Sequence, residues 1–127
     1  MAYFDISLLF IDDWRSYGES SYLPVEAKLD WRSARDHCIS IGAHLLEVDD
    51  GVESDYVSTF FGSNMWIGAT KSGNDVWTTS NGNDLVWTNW AKGQPSGDGR
   101  CAKLDEEFKW NDVSCSARRP FLCEQSK

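Results

Sequence analysis

Two short pieces of the chain carry the residue types that could hold a hard cation. The first is Gln94-Pro95-Ser96, which follows Trp87-Thr88-Asn89-Trp90 and is closed by Cys101. The second is Trp110-Asn111-Asp112, closed by Cys115. Together they gather side-chain oxygens from two segments, and Asp112 adds a full negative charge, which is the donor chemistry calcium prefers. Asp98 is the one further carboxylate in the first loop, and Arg100 precedes its closing cysteine. A proline inside such a loop, above all a cis one, fixes where its flanking side chains point.

The elements that must position these pieces follow from periodicity. Residues 3–11 read as a strand, and the apolar run Leu8 to Ile11 is a candidate oligomer contact. A short strand is expected at Tyr22–Val25. Trp31, Ala34, Cys38 and Ile41 recur at helical spacing between a capping Asp30 and Gly42, predicting a helix over 30–41. A second helix follows Asp49-Asp50, with Val52, Tyr56, Val57 and Phe60 as its core stripe and Gly62 as its end. Beyond Met65 the chain turns to short strands, expected at 65–69, 76–77, 85–87, 101–104, 108–110 and 120–124. Helices early and antiparallel strands late is an α+β order.

Bulk properties narrow the function classes. A length of 127 residues without a linker or internal repeat reads as one domain spanning 1–127. A net charge of −8 argues against nucleic acid and polyanions as partners. No stretch is long enough for a membrane span. The start carries Asp5 and lacks a basic n-region, so it reads as a mature sequence behind an initiator methionine. Four cysteines, at 38, 101, 115 and 123, with no CxxC pair and two histidines, favour two disulfides over zinc and an extracellular, secreted setting. Three pairings are open. His37 and His44 have no nucleophile near them in sequence, and Asp105-Glu106-Glu107 reads as a solvated turn rather than a glycosidase pair, so an enzyme is not expected. Trp87 and Trp90 read as core.

Trp31-x-x-Ala34-Arg35-x-x-Cys38, Gly42-Ala43-His44-Leu45, Trp66-Ile67-Gly68, Gln94-Pro95-Ser96, Trp110-Asn111-Asp112 and Phe121-Leu122-Cys123-Glu124 occur in an order and spacing that resembles the C-type lectin domain. The resemblance implies two helices, two small antiparallel sheets and a long loop region. It also implies the pairs Cys38–Cys123 and Cys101–Cys115, in the short form without an extra N-terminal bridge. By resemblance, Gln94, Asn111 and Asp112 match the ligands of one calcium, with Ser96 at the departing loop position and Asp98, the only nearby carboxylate, as further candidate ligands and sugar hydroxyls completing the shell. Gln94 resembles galactose-type sites. Ser96 and Gly99-Arg100 depart from the pattern, which expects an amide or carboxylate at the first position and Glu-Asp at the second pair. Arg100 could stand in for the cation by pairing with Asp112. Lys71 falls in the segment of the family's auxiliary calcium site. The expected function is a lectin for glycans, including microbial ones, acting as a homo-oligomer through avidity. The alternative is a calcium-independent domain that binds a protein, or that binds sugar by direct hydrogen bonds.

Overall fold

The computed structural model describes residues 14–126. The strand expected at 3–11, with its candidate oligomer contact, lies outside them.

The first helix, α1 (Trp31–Ser40), starts where the sequence signals it. The Asp30 carboxylate accepts the Ser33 N–H at 2.8 Å, and Gly42, at φ 77°, turns the chain out of the last turn. The second helix, α2 (Gly51–Phe61), is capped by Asp50, which accepts from Glu53 N, while Glu53 reaches back to Asp49 N at 2.9 Å. Its buried positions are Ser54 and Val57, with Phe61 packed against the same core. Val52 and Phe60, expected in the core, are 64% and 61% exposed. The stripe was read about one third of a turn off. Tyr56 lies at the boundary, stacked on Tyr17 at 4.0 Å between ring centroids.

Among the described residues eight strands join the helices: β1 (Arg15–Tyr17), β2 (Ser20–Leu29), β3 (His44–Leu45), β4 (Trp66–Lys71), β5 (Trp77–Thr79), β6 (Cys101–Leu104), β7 (Trp110–Val113) and β8 (Arg119–Ser126). Hydrogen bonds connect them in the order β1-β2-β8-β4-β6-β7, with β3 on β8 and β5 on β4. The two expected sheets are thus continuous, joined by one parallel pair, Trp66 with Phe121. All other ladders are antiparallel.

Side-chain alternation along β4 and β8 divides the core. Trp66, Phe121 and Cys123 pack with Trp31, Ala34 and Cys38 of α1 on one side. Ile67 and Leu122 pack with Val57 of α2, Leu104 and Trp110 on the other. Two buried indoles lock the first layer: Trp31 Nε1 donates to the Ile67 carbonyl and Trp66 Nε1 to the Leu29 carbonyl. Gly68 is required where the 44–46 segment crosses β4, because a Cβ there would lie 2.8 Å from the Leu45 carbonyl oxygen. The bridges are Cys38–Cys123 and Cys101–Cys115, as the resemblance implied. With separations of 85 and 14 residues, they stabilise by roughly 4–5 and 3 kcal/mol through loop entropy.

Two expected strands differ. Residues 85–87 form none; the neighbouring Thr78–Asp84 bridge is isolated, and Leu85 and Trp87 turn inward onto the core instead. The expected strand at 108–110 begins only at Trp110. The Asp105 carboxylate takes the Glu107 and Lys109 N–H groups and holds the preceding residues in a turn.

Candidate functional site: a loop stapled to Asp112

The β6–β7 hairpin is the platform. Its register pairs Ala102 with Asp112 and Lys103 with Asn111. The segment 89–91 runs along the outer edge of β7, with Trp110 N donating to the Asn89 carbonyl and Ala91 N to the Trp110 carbonyl. Trp90 and Trp87 meet the Trp110 ring edge-on, at 5.5 and 6.0 Å between centroids, so both serve the core as expected. A turn then closes through Gln94 N to the Ala91 carbonyl, and the Gln94–Pro95 peptide is cis.

From there the loop wraps around one side chain. Asp112 is 5% exposed, and its Oδ1 accepts from Ser96 N at 2.7 Å and Ser96 Oγ at 2.9 Å. Its Oδ2 accepts from Gly97 N at 2.8 Å and Gly99 N at 3.1 Å. Burial alone would raise the Asp112 pKa. The hydrogen bonds, led by those from Ser96 and Gly99, outweigh it and hold the carboxyl below its ordinary range. Gln94 completes the staple, its Oε1 accepting from Asp112 N at 3.2 Å. Gly99 is essential to this path, since a Cβ on it would lie 2.1 Å from the Val113 carbonyl. The sequence reading took Gly99 as a departure from the family pattern and missed this role. The signal was the substitution of the one residue without a side chain where the loop must cross a strand.

The structure therefore brings Gln94, Ser96 and Asp112 together, with Asn111 adjacent on β7. It does not bring Asp98 or Arg100 to them. The Asp98 residue is exposed, and its N–H, not its carboxylate, contacts the loop, at 3.3 Å from Ser96 Oγ. The Arg100 guanidinium points away from Asp112. It donates to the carbonyls of Lys71 and Ser72 and lies 3.7 Å from Asp75, so the expected stand-in cation serves the 71–75 turn instead. Lys71 itself lies 3.9 Å from Asp75. The histidines are structural: His37 meets Phe121 edge-on, and His44 contacts the Leu45 carbonyl.

This donor set does not fit calcium. A carboxylate offers about four lone-pair sites, and four protein donors take them at Asp112. Among the described residues, no three carboxylate, histidine or cysteine side chains converge as metal ligands.

Residues 27–125 match the family model described as Lectin C-type domain. The chain belongs to the C-type lectin domain family. It is 29% identical over 84% of its length to ladderlectin from Oncorhynchus mykiss. It spans 63% of that relative, and 53% of a Mus musculus relative, C-type lectin domain family 4 member A. Human lithostathine superposes with a TM-score of 0.84 at 25% identity, over 91% of this chain and 98% of that one. A structure described as a calcium-independent type II antifreeze protein shares the fold, with a TM-score of 0.83 at 19% identity over 90% and 92% of the two chains. Domains of this family are generally non-enzymatic and bind carbohydrate or protein ligands. Among the described residues, no helix is long and apolar enough to cross a membrane.

Proposed function

We propose that this domain recognises carbohydrate hydroxyls directly, without calcium, at the rim formed by the 94–100 loop and Asn111. The observation that supports this reading most is the fully engaged Asp112 carboxylate, which leaves no lone pair for a cation. Beside it, Gln94 Nε2 and the Asn111 amide have no protein partner among the described residues, and the exposed Asp98 carboxylate sits on the same loop. They mix donors with acceptors, and each sugar hydroxyl is both. Gln94 is the one feature favouring a galactose-type sugar. Arg100 belongs to the scaffold of the loop in this reading. The two disulfides support a secreted protein. A shallow single site supports homo-oligomeric use against clustered glycans such as those of a microbial surface.

Retention on galactose-, mannose- and N-acetylglucosamine-bearing resins, first with calcium and then with EDTA, tests this. Retention by one sugar that persists in EDTA, and falls in Asp98→Ala and Asn111→Ala, is the expected result. Elution by EDTA would restore the calcium-centred reading. Absence of retention under both conditions would favour a protein ligand. For that second reading the relevant surface is α2, where Val52 and Phe60 are exposed beside the stacked Tyr17 and Tyr56.

A further inference from the structure

The helix α2 turns an apolar row away from the core. Val52, Tyr56 and Phe60 follow one another at i, i+4 and i+8, with Val52 64% and Phe60 61% exposed. β1 runs alongside in the opposite direction, and three contacts fix the alignment. The Arg15 guanidinium lies over the Phe61 ring at 5.6 Å, Tyr17 stacks on Tyr56 at 4.0 Å, and Gly18 and Glu19 line one pocket with Asp49, Asp50 and Val52. The rings of Tyr56 and Phe60 are themselves 5.0 Å apart between centroids. Three of the seven exposed large apolar side chains among the described residues, Tyr17, Val52 and Phe60, thus crowd onto one face. A contiguous patch of this kind marks an interaction surface.

The charges around this patch are ordered. Arg15, which is exposed, stands at the end beside Phe61. Glu19, Asp49 and Asp50, all exposed, stand at the other end, where α2 begins. Asp55, one residue before Tyr56, points about 100° away around the helix and leaves the face. From one end to the other the face therefore reads positive, apolar, negative. Turned through half a revolution about an axis through the Tyr17–Tyr56 stack, it reads negative, apolar, positive. Such a face is complementary to itself, which is what a two-fold contact requires. A foreign protein would have to bring the matching order of charges, whereas a second copy already carries it. At a net charge of −8 two copies repel one another on average, so a contact between them must set Arg15 against acids, and this orientation does. Antiparallel helices also oppose their dipoles favourably.

We infer that the Val52–Tyr56–Phe60 row and the β1 residues beside it form the contact between two copies of this chain. The copies pack two-fold, with α2 antiparallel to its counterpart and Arg15 against the partner's Glu19 and the partner's Asp50. The inference rests on the homo-oligomeric part of the proposed function and supplies its surface. It shares no residue with the rim at 94–100 and Asn111, so both rims of a pair stay open, and two linked shallow sites gain avidity on clustered glycans.

The test is sedimentation of the intact chain from low micromolar to near-millimolar concentration, without sugar, so that its outcome is separate from that of the rim. A monomer–dimer equilibrium is expected. Phe60→Ser should weaken it roughly tenfold to a hundredfold, the scale of one aromatic side chain kept in water. Its melting temperature at low concentration should hold, because Phe60 is 61% exposed in the single chain. Arg15→Glu should weaken the dimer roughly tenfold by setting acid against acid. Arg15→Glu combined with Glu19→Arg exchanges the two ends and should restore it, a rescue that unspecific apolar association would not show. A chain that stays monomeric would overturn both this contact and the homo-oligomeric reading, and leave the face to a foreign protein. A dimer that Phe60→Ser and Arg15→Glu leave intact would overturn this contact alone and place the interface elsewhere, residues 8–11 included. Failure of the double variant to restore association would overturn the two-fold alignment.

Discussion

Replacing Asp112 by alanine removes the acceptor for three backbone N–H groups and one hydroxyl at once. A hydrogen bond to a charged group contributes about 1.5–3 kcal/mol net, so the four would nominally sum to well above the cost of opening the loop. Ser96 and Gly97 are exposed and can recover water, whereas Gly99 is packed against the Val113 backbone and cannot. Local opening therefore caps the loss, and we expect roughly 2–4 kcal/mol. The Cys101–Cys115 bridge limits how far the opened loop can move. The assay is urea denaturation at neutral pH, once in EDTA and once in millimolar calcium, where the midpoint should fall by about 1–2 M. Both conditions should give the same fall, and the unaltered protein should gain no stability from calcium. Because the Asp112 pKa is depressed below its ordinary 3.8, its stabilisation is present above that value and is lost as pH falls through the lower folded value. The difference between protein and variant should therefore shrink in strong acid. A cost below about 1 kcal/mol in EDTA, or a calcium-dependent gain that Asp112→Ala abolishes, would refute the staple and return the carboxylate to a metal.

Glu124 gives the opposite pH dependence. It is 3% exposed, accepts from Ser20 Oγ at 2.7 Å and Glu47 N at 3.0 Å, and burial pushes its pKa from 4.5 to about 7. The folded state thus binds the extra proton between those values, so stability should fall by up to about 3 kcal/mol as pH rises through that window. Glu124→Gln should flatten this slope in thermal melts from pH 5 to 8; an unchanged slope would assign it to Glu47 and Asp49, whose pKa values burial also raises. Gly99→Ala should displace the loop, with chemical-shift changes at Ser96–Gly99 and a stability loss of about 2–3 kcal/mol, because its Cβ would overlap Val113. Arg100→Ala should disturb only the 71–75 turn, at a cost of about 1 kcal/mol or less by denaturation, and leave the Asp112 region unshifted; loss of structure around Asp112 would show the two to be coupled after all.

Much of the frame was legible in the residues themselves. Asp30 and Asp50 as caps, with Gly42 and Gly62 as stops, are local chemistry, and local chemistry bounds both helices in the structure. Ordered motifs from Trp31 to Glu124 were enough to reach the family and, through it, both disulfides. Periodicity was less decisive where the stripe is broad. In α2 it could not separate the buried Ser54–Val57–Phe61 flank from Val52 and Phe60, because an apolar residue at the edge of a helix face gives the same pattern in or out.

The sequence by itself determined which oxygens gather near Asp112, since Gln94, Ser96 and Asp112 are fixed by two motifs and the cysteines that close them. Tertiary structure alone decided what those oxygens do. Whether a carboxylate meets a cation or a ring of N–H groups depends on the direction of backbone donors across the loop, and residue types carry no such vector. Here the missing side chain of Gly99 lets the loop lie against Val113, and that approach turns its N–H groups onto Asp112. The same distinction holds for Arg100: its charge was visible in the sequence, but its partner was set by the β4–β5 turn packed beside it.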